Sequence, residues 1–245
     1  MDLKDRVALI TGGARIGQTV ASELARRGCH LALTYRSSKK TAEETLERIR
    51  GFGVRGLIVE ADLNSPSEIQ AAMTNVESTF GRLDILINMA STYQKTPLSA
   101  LDQGSWQENI DTNLRSAYLM SIAAAPIMKR LGAGRIINFT DWVAVSRRPR
   151  YKQYLPYYVA KTGVVGLTEA LALELAPEIL VNAIAPGPIL ASPDLTGDEK
   201  QAVIDATPLR RWGGSLEIAK AVLFLIETEF VTGECLRVDG GRHLY

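Results

Sequence analysis

The chain has 245 residues, of which 46% are apolar, enough for a large core in an α/β fold of one unit spanning residues 1–245. Lys and Arg number 28 against 27 Asp and Glu, for a net charge of +1. That balance argues against nucleic acid or an anionic membrane surface as the main partner. No signal peptide or membrane-spanning apolar run occurs, Cys29 and Cys235 lie inside apolar segments, and His30 and His243 are far apart. The expectation is a cytoplasmic protein with reduced core cysteines, no membrane attachment and no metal site.

Val7 to Ile10 is a continuous apolar run, as a strand buried on both faces requires. It feeds a glycine-rich turn, Thr11 to Gly17, and a helix with Ile16, Val20 and Leu24 on one face, stopped at Arg26-Arg27-Gly28. A second strand spans His30 to Tyr35, a polar helix runs from about Lys40 to Arg50, and a third strand covers Arg55 to Val59. Ser65-Pro66-Ser67-Glu68 combines a cap serine, a first-turn proline and a glutamate three residues after the cap. That helix reaches Phe80 and leads to a fourth strand, Asp84 to Asn88.

A long helix is expected over Trp106 to Leu131, bent at Pro126 because proline removes an internal hydrogen bond. Arg135 to Phe139 reads as the fifth strand, and a helix from near Tyr157 ends at about Leu175, before Pro177. Leu180 to Ala185 makes a sixth strand. Leu190 to Gly214 reads as a mobile insertion with a short helix at Asp198 to Ala206. A helix from Ser215 and a last strand, Glu234 to Val238, complete the chain. Alternating strands and helices without a linker give a single Rossmann-type domain, a doubly wound parallel sheet of seven strands with helices on both faces.

A glycine-rich turn directly after the first strand lets backbone N–H groups approach a pyrophosphate at a helix N-terminus. Sites for NAD usually carry an acid at the end of the second strand, where this chain reads Tyr35-Arg36-Ser37-Ser38-Lys39-Lys40. Arg36 and the serines suit a 2′-phosphate, with Arg15 as a second clamp, so NADPH is the expected cofactor. A solvated helix start is the competing reading of the same basic cluster.

Of the tyrosines at 154, 157 and 158, only Tyr157 has a lysine four residues on, Lys161. On a helix starting near Pro156 the two share a face. A free phenol titrates near ~10, and a neighbouring ammonium lowers that value and tunes the group for proton transfer. Two surface residues would show the same spacing, so corroboration comes from the rest of the chain.

With these pieces placed, the chain resembles the short-chain dehydrogenase/reductase family along nearly its whole length. The landmarks come in order: Thr11-Gly12…Gly17, Asp62, Asn88-Met89-Ala90, Asn113, Tyr157-x-x-x-Lys161 and Pro186-Gly187. The resemblance implies that Gly12, Arg15, Ile16 and Gly17 form the phosphate turn and that Tyr35, Arg36 and Ser37 take the adenosine phosphate. Asp62, with Leu63 beside it, would bind the adenine, and Asn88, Ala90 and Ser91 would line the cofactor. Lys161 would hold the nicotinamide ribose, Asn113 would order a proton-relay water, and Pro186, Gly187 and Ile189 would meet the carboxamide.

The phosphate turn is one residue short of the family pattern and lacks its middle glycine, and Met89 and Ser91 replace an Asn and a Gly. At the family's catalytic serine stands Asp141. Asp141, Arg15, Ser91-Thr92-Tyr93 and the ending Gly240-Gly241-Arg242-His243-Leu244 resemble the pteridine reductases and their dihydromonapterin reductase relatives. In that subgroup Tyr93 would stack on a pterin and Ser91 would touch both cofactor and substrate, although the loop from Trp142 to Leu155 is longer here. Arg147, Arg148, Arg150 and Lys152 read as a solvated charged face and stay outside the predicted site.

The expected function is an NADPH-dependent reductase using Asn113, Asp141, Tyr157 and Lys161 on a small-molecule substrate, a dihydropterin or dihydrofolate-like compound first. The alternatives are a carbonyl reductase, on 3-oxoacyl thioesters for example, and a non-catalytic NADP-sensing protein. A helix apolar nearly all round, Tyr157 to Leu175, and a similar face at Tyr118, Leu119 and Met120 point to a homotetramer.

Overall fold

A computed structural model describes residues 1–244. The elements in chain order are β1 (Val7–Gly12), α1 (Ile16–Arg26), β2 (His30–Tyr35), α2 (Lys39–Arg50), β3 (Gly56–Glu60), α3 (Pro66–Phe80) and β4 (Ile85–Met89). They continue with α4 (Gln103–Ile110), α5 (Ser116–Arg130), β5 (Gly134–Phe139), α6 (Trp142–Val145), α7 (Leu155–Leu175), β6 (Ile179–Pro186), α8 (Gly197–Asp205), α9 (Ser215–Glu227) and β7 (Cys235–Val238). The strands form one parallel sheet in the order β3-β2-β1-β4-β5-β6-β7.

Strand alternation divides the core into two layers. Ala8 and Ile10 of β1 pack with Val20 and Leu24 of α1 and Val222 and Leu225 of α9. Val7 and Leu9 point the other way, toward Met73 of α3, Met120 of α5 and Leu171 of α7. Burial on both faces is why β1 and β4 are almost purely apolar. β1 pairs with β2 on one side and β4 on the other, so the chain's winding reverses there. The carboxyl ends of β1 and β4 therefore open a crevice, the usual ligand position in such sheets.

Three elements differ from the sequence-based expectation. The long helix over 106–131 is two helices, α4 and α5, separated by a π-helical turn at Asp111–Arg115. Helix α5 continues through Pro126, which the sequence expectation also kept inside a helix. The start of α3 is capped as expected by Ser65, whose Oγ accepts from Glu68 N at 3.4 Å. The Glu68 carboxylate, however, accepts from Asp62 N at 2.8 Å, and Ser65 N donates to Asp62 O. Glu68 thus ties α3 to the loop that carries Asp62. Lastly, α6 was not expected, and its cause is Asp141, whose Oδ1 accepts from Val143 N at 2.9 Å. No helix among the described residues is long and apolar enough to cross a membrane.

Candidate active site

A cleft of about 580 Å³ lies at the carboxyl ends of the central strands. Its floor at one end is the turn after β1. Gly12 has φ +64° and Gly13 φ +82°, and a Cβ on Gly12 would lie 2.9 Å from Ala90 Cα. Only glycine permits both the left-handed backbone and this approach. Thr11 Oγ1 accepts from Met89 N at 3.1 Å and Ala90 N at 3.3 Å, which locks the ends of β1 and β4 together. The Thr112 hydroxyl, also on the cleft, is buried without a protein partner, a polar atom that a ligand can satisfy. A glycine cradle at a helix N-terminus with an orphan hydroxyl nearby fits a dinucleotide.

The expected cofactor residues Gly12, Arg15, Ile16, Tyr35, Arg36, Ser37, Asp62, Leu63, Ala90, Ser91, Pro186 and Gly187 all line this cleft. Arg36 and Ser37 are exposed, and Arg36 has no carboxylate within 4.0 Å among the described residues. Arg15 faces the cleft with one nitrogen committed elsewhere, Nη2 donating to Ala191 O at 3.1 Å. Asp62 Oδ1 accepts from Asn64 N at 2.9 Å, so a short local turn presents this residue.

Several expected residues stand behind the cleft instead of facing it. Gly17 packs in the turn near Met89 Sδ. Asn88 is buried, its Nδ2 donating to Asn138 Oδ1 at 2.9 Å and Ser121 Oγ at 3.2 Å, so it braces β4 against β5 and α5. The Ile189 side chain is 4% exposed and packs in the core, so any contact of this residue with a cofactor would come from its backbone, while Pro186 and Gly187 line the cleft. Gly187 is required because a Cβ there would come within 2.5 Å of Asp239 Cβ.

The catalytic candidates converge at the other end. Helix α7 brings Tyr157 and Lys161 to the cleft one turn apart, with Lys161 Nζ 5.8 Å from the Tyr157 ring centre. Lys161 is buried and donates to Phe139 O at 2.9 Å, while Thr140 Oγ1 donates to Lys161 O at 2.6 Å. Burial pushes Lys161 down to about 8, against the opposing pull of the Asp141 charge. The Tyr157 hydroxyl donates to Asp141 Oδ2 at 2.8 Å. Burial also raises the Asp141 carboxyl, offset in part by the Val143 N–H, the Tyr157 hydroxyl and Lys161.

This arrangement reverses one sequence-based expectation. Tyr157 is shifted well above the ordinary tyrosine value, not below it. Burial is the main cause, and the Asp141 charge and hydrogen bond add to it. Lys161 is itself desolvated and does not offset this shift. Tyr157 is therefore held as the protonated phenol, the form a proton donor needs.

Asn113 sits in the π-helical turn and acts at one remove. Its Oδ1 accepts from Ser91 Oγ at 2.6 Å and Thr92 N at 3.2 Å, and its Nδ2 donates to Thr92 O at 3.0 Å. These bonds occupy the amide, so Asn113 fixes the segment that presents Ser91 and faces no cleft itself. Tyr93 is 55% exposed and stacks on Tyr154 at 4.4 Å, with Tyr157 edge-on at 4.8 Å. Tyr154, which lacks a lysine four residues on, and Trp142 beside Asp141 are brought to this end of the site only by the fold.

Comparisons with known proteins bear on this geometry. Residues 13–243 match the family model described as enoyl-(acyl carrier protein) reductase. A 3-oxoacyl-[acyl-carrier-protein] reductase of Staphylococcus aureus is 36% identical over 243 residues, covering 97% of this chain and 98% of the relative. The Salmonella typhimurium protein of the same description is 31% identical over 250 residues and all of both chains. A doubly substituted short-chain dehydrogenase/reductase of Serratia marcescens matches with a TM-score of 0.90 at 31% identity, over 99% of this chain and 100% of that one. The NADPH-dependent 3-quinuclidinone reductase of Rhodotorula rubra also has a TM-score of 0.90, at 28% identity over 100% of this chain and 93% of that one. Those of them named for a substrate are named for 3-oxoacyl and ketone substrates, so they do not support the expected pteridine reductase subgroup. With its fold, its cleft and its relatives in agreement, the chain belongs to the short-chain dehydrogenase/reductase family of oxidoreductases.

Proposed function

We propose that this protein is an NADPH-dependent reductase of a polarised carbonyl, with 3-oxoacyl thioesters the first substrate class. The observation that carries the reading is that Tyr157 and Lys161 share one cleft with the glycine turn and Arg36. The names of the 3-oxoacyl reductase relatives support the substrate class. Bound NADPH supplies the hydride, and Tyr157 supplies the proton that the carbonyl oxygen takes up on becoming an alcohol. Lys161, charged below about 8, favours negative charge developing on the phenol oxygen. Tyr157 and Lys161, both in place, weigh against a protein that only senses NADP.

A second reading, reduction of a pteridine C=N bond, is favoured by two features. An acid, Asp141, sits on the Tyr157 hydroxyl, and the Tyr93–Tyr154 pair offers a flat aromatic surface at the cleft mouth. The deciding experiment follows NADPH consumption with acetoacetyl thioesters, simple ketones and dihydropterins side by side. Turnover of thioesters or ketones supports the first reading, and turnover of dihydropterins alone replaces it with the second. No turnover of any would remove the reductase proposal.

Cofactor choice rests on Arg36 and the absence of an acid after β2. A guanidinium on an ionised 2′-phosphate contributes about 1.5–3 kcal/mol, or roughly ten- to a hundredfold in preference. Arg36→Asp is expected to abolish or invert the NADPH/NADH ratio in kcat/KM. An unchanged ratio would show that Arg36 plays no part.

For assembly we propose a cytoplasmic homotetramer. Leu173 on α7, Tyr118 and Ile122 on α5, and Phe224 on α9 are exposed apolar side chains on long helices. Such faces are covered in symmetric oligomers. Light scattering at micromolar concentration is expected to give four chains, and a monomeric mass would overturn the assignment.

A further inference from the structure

We infer that the cleft mouth carries a specificity subsite for an anionic group of the substrate, a phosphate or a carboxylate remote from the reducible bond, formed by Arg150 and Arg242 on Trp142. The inference rests on the reductase reading above and adds the substrate feature that the site selects.

The Arg150 and Arg242 guanidinium carbons lie 5.7 and 5.6 Å from the centre of the Trp142 ring. Cations at this range are held by the indole face. Trp142 itself is buried and follows Asp141 directly, so both charges are anchored to the helix that Asp141 caps. One Arg242 nitrogen donates to Ala206 O at 2.6 Å, which fixes its guanidinium between α8 and α6. Rings then run from this point back to the catalytic phenol: Trp142 to Tyr151, Tyr151 to Tyr154, Tyr154 to Tyr93, and Tyr93 to Tyr157, with centres 4.4–6.3 Å apart. A substrate with its reducible bond at Tyr157 can lie along these rings and end at the two guanidiniums.

The charge pattern argues against an ordinary solvated face. Some exposed arginines of this molecule meet carboxylates, as Arg26 with Glu23, Arg27 with Glu227, Arg50 with Glu47 and Arg130 with Glu77 do. Among the described residues neither Arg150 nor Arg242 has a carboxylate within 4.0 Å. Residues 142–155 hold Arg147, Arg148, Arg150 and Lys152 and no acid, in a chain whose charges nearly cancel. Asp239, the acid nearest Arg242 in sequence, accepts instead from Gly241 N, His243 N and the His243 ring. Positive charge is thus collected around Trp142 and left for an oxyanion, which a guanidinium can bind through paired N–H groups.

The test compares kcat and KM of the full-length protein and its Arg150→Gln and Arg242→Gln variants on two matched substrate pairs. One pair is acetoacetyl coenzyme A against the uncharged acetoacetyl N-acetylcysteamine thioester, which reads a phosphate. The other is dihydrofolate against dihydrobiopterin, which reads a carboxylate. In whichever pair is turned over, Arg150→Gln is expected to raise KM for the anionic member by roughly tenfold or more, as for a charge-assisted contact. Its kcat and the KM of the uncharged member stay within about twofold. Equal effects on both members, or none on either, would overturn the subsite. If neither pair is reduced, the reductase reading fails by itself, and titration calorimetry of coenzyme A and dihydrofolate into NADPH-loaded protein then decides the subsite. Binding of one of them by wild type and its loss in Arg150→Gln would sustain it, and binding of neither would end it.

Discussion

Tyr157→Phe is expected to lower kcat by roughly 10²–10⁴-fold, the usual contribution of a positioned general acid, with NADPH affinity unchanged. The change removes one oxygen, and the ring keeps its edge contact with Tyr93. Asp141 loses the hydroxyl on Oδ2 but retains Val143 N on Oδ1, so the cost in stability is about 1 kcal/mol. The pH profile gives a second check. Lys161 titrates at about 8 because burial disfavours its charge. As pH rises through that value the ammonium becomes neutral, negative charge on the phenol oxygen loses its counter-charge, and wild-type reduction slows. Below it the ammonium is present and this loss is absent. Tyr157→Phe has no phenol to support, so its residual rate should not show this step. Retention of near wild-type kcat in the variant would remove Tyr157 from the chemistry.

The elements that could be read from sequence are those whose physics is local. The helix from Pro66 to Phe80 follows from a cap serine and a first-turn proline, and β2 from a short apolar run between a glycine stop and a charged loop. The glycine cradle was legible because positive φ and close backbone approach leave one residue type. The Tyr157–Lys161 pair follows from the helical repeat.

What sequence did not disclose depends on contacts across the sheet. The π-helical turn at Asp111–Arg115 has no breaker residue to announce it, and it serves to aim Asn113 at the 91–92 segment of another loop. Helix α6 exists because one aspartate both caps it and accepts from Tyr157. Tyr157 reads from sequence as a phenol beside a cation, which lowers a pKa. In the fold burial and the neighbouring Asp141 carboxylate both disfavour the phenolate, so the direction reverses. At Ile189 the sequence does not tell backbone from side chain, and the side chain completes the core.

Asp141→Ser is expected to separate the two substrate classes, because Asp141 competes for the proton that carbonyl reduction uses. With Asp141 ionised, the Tyr157 proton is directed at Oδ2, 2.8 Å away, and the phenol becomes a weaker acid. With Asp141 protonated, its own O–H can donate to the phenol oxygen and leave the Tyr157 proton for the substrate. Burial raises the Asp141 pKa, which extends the protonated form to higher pH than an unburied aspartate allows. Wild-type reduction should therefore weaken as pH rises through that raised value and recover as pH falls. Serine cannot ionise or take the proton in this range. Asp141→Ser should accordingly keep or raise activity on acetoacetyl thioesters, most clearly on the alkaline side, and flatten this limb of the profile. Reduction of a dihydropterin should instead fall by roughly tenfold or more, the loss of a second acid that can reach a ring nitrogen. The serine can still accept from Val143 N, and the Tyr157→Phe protein supplies a control in which the Asp141 limb is absent for the thioester. If Asp141→Ser leaves both the profile and the substrate ratio unchanged, the carboxyl serves only to cap α6. Loss of thioester reduction at every pH would instead make Asp141 an obligatory acid for carbonyls as well.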